Sequence, residues 1–206
     1  MPIFRINGKV ILFLHIPKAG GTSIEEALAA HSSESFRMKL NTAGLPCVPQ
    51  HFHGALIEDL FAADFFDYSF CVTRNPYARI LSEYNYRMQH RHRPYRWFPA
   101  PSFELWLRST LRTYRRNPYV YSNHIRPQVA FRIPGTRWFR LEDQLDALME
   151  DLQRITKIPP ARDIPHANPS RKKATTISDA AADLVHDFYR ADFTEFGYAP
   201  DSYRTL

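Results

Sequence analysis

Hydrophobic positions along the chain follow two patterns. The first is an unbroken apolar run: Val10, Ile11, Leu12, Phe13 and Leu14 stand together with no polar residue among them. A strand with one wet face alternates apolar and polar positions. The unbroken run therefore predicts a strand covered on both faces, over residues 9–16, ended by Pro17. A second run containing Phe70, Cys71 and Val72 predicts another over 68–73. The other pattern repeats every three or four residues. Ile24, Ala27 and Leu28 share one face of a helix predicted over 22–30, with Thr22 and Glu25 at the spacing of a capping box. Ile80, Leu81, Tyr84 and Met88 form the buried side of a helix that Asn75 caps and Pro76 opens. Further helices are expected over 55–61, over 103–114, over 141–155 with Leu145, Leu148, Met149 and Leu152 inward, and from a Ser178 cap to about 193. Residues 138–140 read as a short strand, and 32–50, 90–101 and 159–173 as irregular or loop.

Strands alternating with helices predict an α/β fold with a mainly parallel central sheet flanked by helices, as a single domain over residues 1–206. In such sheets ligands sit beyond the carboxyl ends of strands. The two strand-to-helix turns, 17–22 and 74–76, are thus where chemistry is expected.

Composition narrows the class. With 15 Phe, 11 Tyr and 3 Trp the chain is not disordered. The run from Val10 to Leu14 is far short of the ~20 residues of a membrane span and lacks a small-residue cleavage site, so neither a membrane anchor nor a signal peptide is expected. Two cysteines, Cys47 and Cys71, make no disulfide framework, and a reducing, cytoplasmic setting is expected. The net charge of +6 is concentrated: residues 74–140 carry fourteen basic side chains, all Arg, against two acidic ones. Arg presents a planar fork that fits phosphate, sulfate and carboxylate, so this third of the chain is expected to meet anions.

The first turn reads His15-Ile16-Pro17-Lys18-Ala19-Gly20-Gly21-Thr22-Ser23. A glycine bend that opens a helix after a buried strand gathers backbone N–H groups at the positive end of the helix dipole, a cradle for an anion. Lys18 adds a full charge there, and Thr22 and Ser23 add hydroxyls. It is not a Walker loop, in which the lysine follows the glycines; here Lys18 precedes them. At the second turn, Arg74 ends a strand and Ser82 lies eight residues on, about two helical turns inside the next helix. An Arg fork and a hydroxyl could grip one phosphate from two directions.

Together the two turns resemble the sulfotransferases that use 3′-phosphoadenylyl sulfate (PAPS), most closely the sulfotransferase family 2 group that includes the carbohydrate sulfotransferases. The residues 15–24 are similar to that family's 5′-phosphosulfate loop, and 72–84 to its 3′-phosphate element. The resemblance implies a P-loop-like sulfotransferase fold, with PAPS as donor and PAP as product. It implies that Pro17, Lys18, Ala19, Gly20, Gly21, Thr22 and Ser23 hold the 5′ phosphosulfate, with Lys18 stabilising the leaving phosphate. Arg74 and Ser82 then bind the 3′ phosphate, and Arg171 and Lys172 belong to a late basic loop that closes over the nucleotide. Arg126 and Gln128, in an Arg-Pro-Gln segment the resemblance touches, are expected at the donor or acceptor. Sulfuryl transfer builds charge mainly on the leaving oxygen, which one Lys and fixed N–H dipoles can stabilise, so no metal requirement is expected.

The acceptor hydroxyl needs a base, and the resemblance puts the catalytic histidine at His51, with Ile57 matching an apolar residue six later. His53 competes, because some members carry a His-x-His pair. A zinc site from His51, His53, His90 and His92 is the rival use of these residues, but structural zinc usually draws on Cys. The expected acceptor is a carbohydrate or other hydroxyl compound. The Arg-rich stretch suits an anionic one, and Tyr95, Trp97 and Phe98 suit sugar faces. The alternatives are a P-loop-like kinase or ATPase, and a basic nucleic-acid-binding protein; no nucleic acid is expected as partner.

Overall fold

The chain opens with a hairpin. Strand β1 (Ile3–Ile6) turns at Asn7-Gly8, both with positive φ, and returns antiparallel as β2 (Lys9–Leu14), Ile6 facing Lys9. Asn-Gly is the pair that a two-residue hairpin turn selects, because both positions need left-handed backbone. The computed structural model describes residues 1–37, 40, 44–90, 99–158 and 176–206.

Five strands form one mixed sheet in the order β3-β1-β2-β4-β5, with β3 at Ser33–Ser35, β4 at Tyr68–Thr73 and β5 at Arg137–Arg140. The pairs β2–β4 and β4–β5 are parallel, whereas β1–β2 and β1–β3 are antiparallel. The α/β class holds; the mainly parallel sheet does not. The hairpin places one antiparallel strand beside β2, and β3 adds a second outside it.

The unbroken run in β2 is covered on both faces. Leu12 and Leu14, with Cys71 of β4, pack under Phe52, Ile57 and Phe131. Ile11 and Phe13, with Phe70, Val72 and Phe139, pack against helix α1 (Gly21–Ala29) and helix α5 (Leu145–Thr156) through Ile24, Leu28, Leu148 and Leu152. Between those helices in the chain lie α2 (Gly54–Leu60), α3 (Pro76–Gln89) and α4 (Phe103–Arg116). A third apolar cluster joins α3 and α4 to α6 (Asp179–Phe188) and α7 (Arg190–Phe196) through Tyr77, Ile80, Trp106, Leu107, Val185 and Phe193.

Side-chain caps account for three helix starts, those of α3, α4 and α6. Asn75 caps α3, its side-chain oxygen accepting from Tyr77 N and Ala78 N, with Pro76 in the first turn. Ser178 caps α6 in the same way. Three expectations are corrected. The Thr22–Glu25 capping box does not form: Gly20, with φ +81°, occupies the cap position, and Glu25 is fully buried against His15 and Gln50. The helix expected from residue 141 begins at Leu145, because Leu141 N still bonds Thr73 O as a continuation of the sheet and the Gln144 side chain accepts from Arg140 N. The last helix breaks at Tyr189 into α6 and α7.

Candidate functional site

Strands β2 and β4 are parallel neighbours, so the turns after them emerge side by side at one end of the sheet. Contacts between the turns are direct. The Arg74 guanidinium donates through Nη1 to the Lys18 carbonyl at 3.2 Å, and Arg79 donates through Nε to the Pro17 carbonyl at 3.0 Å. Arg79 is only 1% exposed, and its Nη2 also donates to the carbonyls of His124 and Arg126, each at 2.9 Å. One side chain thus pins the first turn and a third segment to α3.

The glycine bend is shaped by what surrounds it. Lys18 and Gly20 both take left-handed backbone, at φ 67° and 81°. At Gly21 the constraint is space: a Cβ there would lie 2.7 Å from Cε1 of His15. The bend therefore hands the chain into α1 with His15 packed beneath the first turn of the helix. The leading N–H groups of α1 have no intrahelical acceptor, as at any helix start.

Two cations meet at this bend. Lys18 and Arg74 are each partly buried, and neither makes an ion pair within 4.0 Å among the described residues. Burial lowers the Lys18 pKa from its ordinary value, with Glu83 opposing and Arg74 and Arg87 adding to the depression. Burial lowers Arg74 as well, against Glu142 and Tyr198. The Lys18 ammonium rests over the Tyr86 ring, 4.5 Å from its centroid. Ser82, on the same helix, is buried, and its hydroxyl has no hydrogen-bond partner among the described residues. Adjacent partly buried cations without carboxylate partners, beside a glycine bend and an uncommitted hydroxyl, form a site suited to a polyanion.

Gln128 and Arg126 lie nearby in different roles. Gln128 is 0% exposed, and its amide bonds the Arg74 backbone on both sides, accepting from N at 2.9 Å and donating to O at 2.8 Å. The fully buried Asp192 in turn accepts from Gln128 N and Val129 N. Gln128 thus sets the direction of the strand end that carries Arg74. Arg126 stacks over Tyr119 at 5.1 Å and bonds Asn123 Oδ1.

Of the two candidate bases, His51 is the one in contact with the histidines around the turns. Its ring centroid is 5.4 Å from that of His15 and 4.8 Å from that of His124. Its Nδ1 faces the Ser122 carbonyl at 3.1 Å, so Nδ1 carries the hydrogen and the Nε2 lone pair stays free in the neutral ring. Burial, then the nearby His124, His15 and amino-terminal charges, holds His51 well below the usual histidine range. His53 sits against Tyr119, with Asn123 Nδ2 donating weakly to its Nδ1 at 3.4 Å; burial lowers its pKa to about 4. His90 bonds the Tyr86 carbonyl. Arg171, Lys172, His92, Tyr95, Trp97 and Phe98 lie outside the described residues. Among the described residues, no group of three His, Cys, Asp or Glu side chains is placed to hold a metal ion.

Sequence reasoning missed two buried carboxylates. Glu25 joins Nδ1 of His15, Nε2 of Gln50 and Nε of Arg37. Burial pushes its pKa up, but those bonds prevail and hold it below the ordinary value. Glu83, 0% exposed, accepts from His124 Nδ1 and from Arg87 Nε, each at 2.7 Å. Burial again acts upward, but the His124 bond and the neighbouring positive charges bring its pKa to about 2. Its signal was present in the sequence: it is one of two acids in an Arg-dominated stretch and directly follows Ser82.

Among the described residues no helix is long and apolar enough to cross a membrane. No curated protein and no solved structure matches the chain. A family model described as the Sulfotransferase family does match, over residues 2–199, which is nearly the whole chain; the two turns and the site between them thus belong to a member of the sulfotransferase family.

Proposed function

We propose that this chain transfers a sulfuryl group from PAPS to a hydroxyl of a carbohydrate acceptor, releasing PAP. The observation that carries the reading is the meeting of the two turns: Arg74 bonds the Lys18 carbonyl, so adjacent turns offer cations to both ends of a doubly phosphorylated nucleoside. The donor supplies a sulfuryl group activated by its phosphate leaving group. The residues fit it. The first N–H groups of α1 after the bend at Gly20 and Gly21, with Thr22 on the same turn, suit the 5′ end, and Arg74 with the uncommitted Ser82 hydroxyl suits the 3′ phosphate.

In this reading Lys18 stabilises charge as it develops on the leaving phosphate oxygen. His51, neutral at pH 7 with its free Nε2, takes the proton of the attacking hydroxyl. His53 is the less suited base, because its Nδ1 lone pair faces a donor from Asn123. An anionic glycan is favoured as acceptor by exposed Arg112, Arg115 and Arg116 on α4. Three residues after that helix ends comes Tyr119, which touches both His53 and Arg126.

The test is a melting experiment with adenosine 3′,5′-bisphosphate, ADP and a DNA oligonucleotide. The bisphosphate at about 100 times its Kd stabilises by about 2.7 kcal/mol, or about 5–11 °C in Tm for a chain of this size. ADP gives a much smaller shift, and the selectivity disappears in Arg74→Ala. Equal responses to ADP and bisphosphate, or a larger response to DNA, overturn the reading.

A further inference from the structure

His51 stands between two imidazoles, each held by a fully buried carboxylate: His15 by Glu25, and His124 by Glu83. The two ends are not equivalent. Glu25 is also bound by Gln50 and Arg37, beneath α1. Glu83 lies on α3, one residue after Ser82 and three before Tyr86, whose ring carries the Lys18 ammonium. Residues three apart on a helix share a face, so Glu83 and the Lys18 ammonium are on the same side of α3. The other Glu83 oxygen takes Nε of Arg87, which stacks over Tyr121 at 4.0 Å.

We infer that Glu83 is a positioning residue shared by both reacting ends of the site: its bond to His124 sets that ring edge-on against His51, and its carboxylate is a buried counter-charge on the Lys18 side. The inference rests on the reading of His51 as base and Lys18 as the cation at the leaving group. Charged and titratable groups facing the three partners are few. His51 meets His124, His15 and the Met1 amine. His124 meets Glu83, Arg87 and Lys18. Lys18 meets Glu83, Arg74 and Arg87. Glu83 is the one acid in this set. Behind the rings that flank His51 stand two buried carboxylates, Glu25 behind His15 and Glu83 behind His124; both favour the imidazolium, and Glu83 is the one that also faces Lys18. The same charge keeps Lys18 an ammonium against its burial. Neither effect is strongly screened, since Glu83 has no exposed surface.

Glu83→Gln keeps the shape and removes the charge. The first measurement is a nitrogen NMR titration of His51 in the whole chain without ligand, which needs no acceptor. The His51 midpoint is expected to fall by about half a unit or more, because losing a nearby negative charge disfavours the imidazolium. An unmoved midpoint overturns the inference. The second is the pH profile of labelled sulfuryl transfer from PAPS to a panel of neutral and uronic-acid oligosaccharides. In Glu83→Gln, kcat falls about tenfold or more, donor KM changes little, and both limbs of the profile move to lower pH. Activity then appears earlier on the acid side, where His51 must lose its proton, and fades earlier on the basic side, where Lys18 must keep one. A loss of kcat with both limbs in place is a purely structural effect and overturns the inference.

Should Glu83→Gln fail to fold, His124→Gln retains a donor for Glu83; it is expected to lower kcat while the basic limb stays, and wild-type kcat overturns the inference. His51→Ala and Lys18→Ala separate the two readings. If both retain turnover, the catalytic assignment falls and this inference with it. If both abolish turnover while Glu83→Gln leaves the limbs in place, only this inference falls.

Discussion

Lys18→Ala is expected to lose about 100- to 1,000-fold in turnover while the chain keeps its fold, the range seen when a preorganised group facing developing charge is removed. The stability side follows from the contacts of the side chain. Its ammonium rests on the Tyr86 ring and makes no ion pair within 4.0 Å among the described residues. A cation–ring contact of this kind contributes about 0.5–1 kcal/mol, and deletion also removes a cation that burial disfavours. The backbone at Lys18 is left-handed, a strain that Ala shares with Lys, so the substitution adds none. Melting curves within a few degrees of wild type, beside single-turnover rates reduced by orders of magnitude, are the expected pair. Turnover within about threefold of wild type removes Lys18 from the chemistry.

The turns were legible in the sequence because each is written in short-range signals. A continuous apolar run marked β2, Asn75-Pro76 marked the start of α3, and a glycine pair marked the bend between β2 and α1. The sheet was less legible for two different reasons. β1 had a signal: Asn7-Gly8 sits between apolar residues at hairpin spacing, and reading the first strand as starting at residue 9 passed over it. β3 had none. Its Ser33, Glu34 and Ser35 are all exposed on a sheet edge, where no buried face imposes alternation. Those two strands make the sheet mixed.

Glu25 shows a different limit. Its spacing from Thr22 is that of a capping box, and sequence spacing cannot tell a reciprocal cap from an inward-facing acid. The left-handed Gly20 takes the cap position, and His15 and Gln50, distant in sequence from each other, supply the donors that draw Glu25 inside. His124 and its partner Glu83 are forty-one residues apart and on different elements. Long-range pairing of this kind leaves no periodicity to read.

Arg79 carries the second large effect, on stability. Arg79→Met keeps much of the length and apolar body of the side chain but withdraws the donors from the carbonyls of Pro17, His124 and Arg126. A buried carbonyl left without a donor costs about 1–3 kcal/mol, and relaxation keeps such costs from adding in full. A net loss of about 3 kcal/mol is expected, or about 6–12 °C in Tm. Arg74→Ala is the contrasting variant. It gives up one bond to the Lys18 carbonyl from a partly exposed side chain, while Gln128 still holds the Arg74 backbone, so its stability stays near wild type. Both variants weaken binding of adenosine 3′,5′-bisphosphate, Arg74→Ala by removing a direct contact and Arg79→Met by releasing the first turn from α3. Denaturant melts distinguish them. If Arg79→Met melts with wild-type Cm, the three carbonyls find other donors, and Arg79 is not the tie that keeps the two turns in one pocket.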